Sequence, residues 1–214
     1  MKIEIGNQKP ENFKAYWEGQ YSFFSHFEYA CGIPSILHAV TTMKENGKPN
    51  VNFNAWGTFS GYGGGFYAIL PFSRHTHTYK NIQRTGEFAV NFIGKDYFDA
   101  CIATINDNGD DTDEIAAGGF TAETAKTLAV PRLAEAFLTL ECKFEKEIEC
   151  GNGMVVIGKV NHIAMSDEFS GSIDGKYENN GFMLNIHAPK NLKTGEGKAS
   201  AVAVCKIIRI NEEG

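Results

Sequence analysis

The run Ser73-Arg74-His75-Thr76-His77-Thr78 gathers hydroxyls, a guanidinium and two imidazoles directly ahead of Tyr79-Lys80-Asn81-Ile82. That pattern predicts a short helix with Thr78 as its N-cap. Unpaired N–H groups and the positive dipole end of such a terminus attract an anion, and Arg74 and Thr78 suit a phosphate group. A second polar set precedes it: Asn50-Val51-Asn52-Phe53-Asn54-Ala55-Trp56-Gly57-Thr58-Phe59 is β-rich, yet carries amides and a glycine where a plain core strand would carry valine or isoleucine. Asn50, Asn54 and Asn91 could each cap a turn or strand end, but three amides along one expected site point to recognition of a polar ligand edge. Trp56 reads either as a core aromatic or as a ring for a ligand to stack on.

These residues need strands and turns to position them. Ile36 to Thr42 reads as a strand, and Glu45-Asn46-Gly47-Lys48-Pro49 as the turn that sends it back through Asn50 to Phe59. After Gly61 to Gly65, read as a flexible bend, Phe66 to Leu70 forms another strand that Pro71 stops. Glu87 to Ile93 returns as a strand. Asp96 caps a helix through Ile102, Ala116 to Thr127 reads as two short helical pieces, and Leu138 to Ile148 pairs with Met154 to Met165 across Cys150-Gly151-Asn152-Gly153. A last β-like run covers Ala201 to Ile210.

The ordered set Gly47-Lys48-Pro49-Asn50, Asn54-Ala55-Trp56-Gly57-Thr58, Ser73-Arg74 through Thr78-Tyr79 and Gly86-Glu87-Phe88-Ala89-Val90-Asn91 resembles the flavin reductase-like, FMN-binding split-barrel proteins. The likeness extends more weakly to Leu140-Glu141-Cys142 and Ile157-Gly158-Lys159-Val160, and covers residues 34–165. It implies a mainly β fold, a Greek-key split β-barrel of the FMN-binding type with short peripheral helices. It also implies FMN at the interface of a homodimer, held by Asn50, Asn54, Ala55, Trp56, Gly57, Thr58, Arg74, Thr76, Thr78 and Asn91. The expected activity is NAD(P)H-dependent reduction of free flavin or another small acceptor through FMN. The alternative is a flavoredoxin-like electron carrier with no nicotinamide-dependent activity of its own, and a plain β-barrel interaction module is a third reading. No catalytic side chain is assigned, since a flavin carries its own redox chemistry. Two departures stand out: Asp110 and Glu114 occupy a loop that is often basic in relatives, and Asn152-Gly153 replaces an Asp-His pair.

With 214 residues, 43% hydrophobic and 12% aromatic, the chain suits a single domain over residues 1–214, with 1–33 as an N-terminal extension. A formal net charge of −6 excludes a nucleic-acid or anionic-membrane surface, so any phosphate is held locally. Without an apolar leader or an 18-residue apolar span, the chain reads as cytoplasmic and not membrane-bound. Cys31, Cys101, Cys142, Cys150 and Cys205 are odd in number and scattered, which suggests free thiols. The aromatic stretch Lys9 to Glu28 reads as packing on the barrel exterior or a partner subunit. Asn106 to Glu114 fails the calcium-loop template at Thr104 and Ile115 and reads as a solvated acidic loop. His75 and His77 lack a third ligand, so no metal site is assigned. Gly61 to Gly65 lacks the remainder of a phosphate-loop signature, and no nucleophile elbow is present.

Overall fold

A computed structural model describes residues 1–178 and 180–209. In chain order the first elements are α1 (Gln20–Phe23), α2 (His26–Cys31), β1 (Ser35–Ile36), β2 (His38–Met43), β3 (Pro49–Asn54), β4 (Thr58–Tyr62) and β5 (Gly65–Ser73). Next come α3 (His77–Thr85), β6 (Glu87–Phe92), α4 (Phe98–Asn106), α5 (Glu114–Ala117), β7 (Ala122–Glu123) and β8 (Arg132–Leu133). The last are β9 (Leu138–Cys150), β10 (Gly153–Met165), α6 (Asp167–Ser170), β11 (Met183–Ile186) and β12 (Ala201–Val204). The chain divides into a larger unit, 36–183 with 204–214, and a smaller one, 1–35 with 184–203.

The larger unit is built on a seven-stranded sheet of order β3-β2-β6-β9-β10-β5-β4, antiparallel at each pairing of known register. It is the split barrel expected from the sequence. Inward side chains of these strands, Val40, Leu70, Phe72, Phe88, Val90, Phe92, Leu140 and Val156, join Ile82 of α3 in the main core. Each such side chain contributes about 1.5–3 kcal/mol by leaving water. A second cluster, Ala39, Val51, Ile93, Cys101, Ile115 and Phe120, fixes α4 and α5 beside β3. At Gly158 a Cβ would stand 2.2 Å from Phe88 Cζ, so the ring crosses directly over the bare backbone.

Several expectations are corrected by local physics. The strand expected from Asn50 to Phe59 breaks at Ala55-Trp56-Gly57, where Trp56 adopts φ 60°. Pro71 does not stop β5, which runs on to Ser73; β4 begins with Thr58 opposite Ile69, so no strand on that side asks Pro71 for an N–H. Gly63 and Gly64, at φ 60° and 81°, form the two-residue tip of the β4–β5 hairpin in place of a flexible bend. Asp96 lies in a 3₁₀ turn, Lys95–Tyr97, and α4 starts after Tyr97 without a side-chain cap. Only α5 forms in the region read as helical over 116–127, and its N-cap is Asp113. Of the last β-like run, Ala201–Val204 is a strand and Ile210 lies outside the described residues.

In the smaller unit Phe13 and Tyr29 are each 1% exposed, and Tyr21 packs edge-on to Tyr29 with ring centroids 5.5 Å apart. Phe24 meets His187, which bonds Glu28 at 2.6 Å. All five cysteines are free, and burial pushes the Cys101 thiol up to about 12.

Candidate functional site

α3 is the element that organises the site. Its N-cap is Thr76, not Thr78: the Thr76 hydroxyl accepts from Tyr79 N at 3.3 Å and donates to Ser73 O at 2.9 Å. The two-residue displacement puts His77 and Thr78 in the first turn, where backbone N–H groups have no intrahelical acceptor. Thr78 is 1% exposed and points into the protein.

There it meets Asn50. With its amide turned so that each neighbour is satisfied, Asn50 Oδ1 accepts from Thr78 Oγ1 at 2.9 Å, Thr42 Oγ1 at 3.2 Å and Val51 N at 3.3 Å, and Nδ2 donates to Glu114 Oε1 at 3.3 Å. The opposite orientation would face the amide oxygen with the Glu114 carboxylate. Asn81 Nδ2 donates to Thr42 at 3.1 Å, so a buried polar chain joins α3, β2, β3 and α5. Glu114 is no part of a solvated loop. It is 1% exposed, pairs with Lys44 Nζ at 2.9 Å and accepts at 2.7 Å from Val51 N, an outward amide of the edge strand β3. Lys44 also donates to Gly109 O and Thr112 O, which draws the acidic loop against the site. His77 Nε2 then stands 2.8 Å from Asp110 and Nδ1 4.0 Å from Glu114 Oε1.

Together these residues enclose a groove of about 200 Å³ lined by Asn50 to Phe53, His75 to Thr78, Thr104, Ile105, Asn108 and Glu114. Ligand pockets usually span about 300–1,000 Å³, so one chain accommodates part of a nucleotide-sized ligand. Asn50, Thr76 and Thr78 thus come together, although the Thr76 hydroxyl is engaged in capping α3 and the Thr78 hydroxyl in bonding Asn50. Asn54 and Ala55 are buried at the adjoining bend, where Asn54 Oδ1 accepts from Ala55 N at 2.7 Å and Nδ2 donates to Pro71 O at 3.3 Å. Trp56 is 43% exposed, and Thr58 is exposed beyond it. Gly57 lies so close to the core that a Cβ would stand 2.5 Å from Leu70 Cδ2 and 2.9 Å from His38 Cε1.

Two candidates have other partners. Arg74 pairs with Glu149 at 2.8 Å. Asn91 is fully buried in the sheet, where Nδ2 donates to Ala39 O and Thr41 Oγ1, and Oδ1 accepts from Leu133 N and Thr139 Oγ1. Its polar groups are used inside the protein. The resemblance already sets Asp110 and Glu114 in a loop near the site; Lys44 and the burial of Glu114 are not legible in the sequence, because nothing in their local pattern distinguishes a buried ion pair from a solvated one. His77 had a usable signal, its place at the first position of the helix. Among the described residues no cluster of three or more His, Cys, Asp or Glu could hold a metal ion.

The chain is an antiparallel split barrel with a polar groove at the N-terminus of α3. The chain belongs to the flavin reductase like domain family, which matches residues 66–183. An uncharacterized protein of Aquifex aeolicus (strain VF5) is 31% identical over 90 residues, 42% of this chain and 46% of that one. The chain spans about half the length of the first curated relatives it matches. Nitrilotriacetate monooxygenase component B from Bacillus cereus shares the fold with a TM-score of 0.71 and 16% identity, covering 97% of this chain and all of that one (100%). The FMN-binding protein from Thermus thermophilus, solved with p-hydroxybenzaldehyde, aligns with a TM-score of 0.68 and 16% identity over 98% of this chain and 100% of its own. Among the described residues no helix is long and apolar enough to cross a membrane.

Proposed function

We infer that the protein is an FMN-dependent oxidoreductase that takes electrons from NAD(P)H and passes them to free flavin or another small acceptor. The observation that carries this reading is the groove in which β3 and the first turn of α3 meet, in a chain of the flavin reductase family. Bound FMN would supply a carrier that accepts two electrons and hands them on. The protein's own task is to bind, orient and shield.

The residues present fit that task. First-turn amides of α3, with His75 and His77 beside them, suit a phosphate, and the Asn50–Thr78 bond holds that turn against β3. The Asn54-to-Thr58 bend offers backbone groups and the Trp56 ring to the polar edge and face of a flavin. Gly57 lets the bend lie flat on His38 and Leu70. Arg74, on leaving Glu149, adds a guanidinium for the phosphate. The groove's small volume within one chain, with Trp56, Tyr62 and Phe66 exposed nearby in sequence, supports a homodimer that completes the site.

The absorption spectrum of freshly purified protein tests the cofactor, since a flavin band is expected and its absence after FMN reconstitution overturns the reading. Bleaching of that band by NADH or NADPH under anaerobic stopped flow is the expected nicotinamide step; a band that neither reductant bleaches leaves an electron carrier. Arg74→Ala should weaken FMN retention by about 1.5–3 kcal/mol, the worth of a charge-assisted hydrogen bond. Unchanged retention removes Arg74 from the site.

A further inference from the structure

The smaller unit buries a cation that the flavin site does not use. Lys190 is 8% exposed; its Nζ donates to Lys14 O at 2.7 Å and sits 3.8 Å above the centroid of the Tyr16 ring. No ion pair among the described residues includes it. An ammonium has three donors, and a carbonyl with an aromatic face leaves one over. A buried charge without a counter-charge is costly, and burial pushes the Lys190 pKa down.

Lys190 lines a cavity of about 390 Å³ together with Lys14, Tyr16, Thr194 and Gly195 to Gly197. That volume is in the range of small-ligand sites. The walls are set before any ligand arrives. Asn191 Oδ1 accepts from Lys193 N and Thr194 N, Asn12 Nδ2 donates to Lys193 O, and Lys190 bridges Gly197. A Cβ on Gly197 would stand 2.0 Å from Tyr16 Oη and 3.0 Å from Lys190 Nζ, so a side chain here would push both groups from their present positions. Glu196, the one carboxylate of the lining, belongs to an exposed residue. From Pro189 to Lys198 the chain sets Lys190, Lys193 and Lys198 against Glu196 alone, within a protein of formal net charge −6.

We propose that this cavity binds a small oxyanion, the carboxylate or phosphate of a metabolite, with Lys190 Nζ as its anchor. The cavity shares no lining residue with the α3 groove. Its test is a titration of the ¹⁵N-labelled full chain with inorganic phosphate and, separately, succinate. The expected result is a saturable shift of the Tyr16, Lys190 and Thr194-to-Gly197 amides with at least one anion, and the anion that produces it identifies the source. Lys190→Met should weaken that binding about tenfold or more, the loss of one charge-assisted contact, while Lys190→Arg retains most of it. Absence of saturation by either anion into the tens of millimolar, or an unchanged titration in a folded Lys190→Met protein, overturns the proposal. Should Lys190→Met not fold, the wild-type titration decides alone.

Discussion

Asn50 and Thr78 lie 28 residues apart in sequence and 2.9 Å apart in space, at the point where strand β3 touches the first turn of α3. Both are buried, and the bond fixes the helix terminus relative to the strand. Thr78→Val keeps the shape and removes the hydroxyl, leaving Asn50 Oδ1 with its remaining donors. A loss of about 1 kcal/mol in urea unfolding is expected. FMN affinity should fall further than stability implies, and Thr78→Ser should restore both.

The Lys44–Glu114 pair sets a sharper contrast. Removing one partner of a buried pair strands the other, at about 3–5 kcal/mol. Lys44→Met should therefore lower the denaturant midpoint strongly. The double variant Lys44→Met/Glu114→Gln should recover much of the loss, because glutamine can still accept from Val51 N. A double variant no more stable than the single one would show that Lys44 acts through its bonds to Gly109 and Thr112 alone.

His38 makes stability depend on pH. It is 1% exposed, its Nδ1 bonds Ile36 O at 3.1 Å, and its Nε2 has no hydrogen-bond partner among the described residues. Burial lowers its pKa from 6.5 to about 4, against the weaker opposing effect of the Ile36 carbonyl. Between those values the unfolded chain binds a proton that the folded chain refuses. Its contribution is therefore full above pH 6.5, declines as pH falls and levels off below about 4, a span of about 3 kcal/mol. Urea midpoints measured from pH 7 to 4 should show this slope, and His38→Leu should flatten it.

Asn91 separates architecture from binding. Asn91→Leu strands Leu133 N and the Thr139 hydroxyl inside the sheet, and about 2 kcal/mol or more of stability should be lost. The protein that remains folded should retain its affinity for FMN. Reduced affinity in folded Asn91→Leu protein would return this residue to the site.

Much of the architecture is legible in the residues because turn chemistry is local. Gly47, at φ 80°, turns β2 into β3, and Gly151, at φ 55°, lies in the tip of the β9–β10 hairpin. The site was legible to the extent that it depends on a helix terminus and a broken strand. What eludes the sequence depends on distant partners: the acceptors and donors of Asn91 come from three other strands, β2, β8 and β9, none of them adjacent in sequence. Glu114 looked solvated because Lys44 lies 70 residues earlier. Thr76 and Thr78 have the same type and similar surroundings, so propensity alone could not choose between them as N-cap.

The register of β4 on β5, continued past Thr58 and Ile69, would bring Trp56 opposite Pro71. An imino acid on one side and a left-handed backbone on the other keep the two strands from zipping further. Pairing of β4 with β5 therefore stops at the bend, and a valine at position 71 would remove one of its two stops.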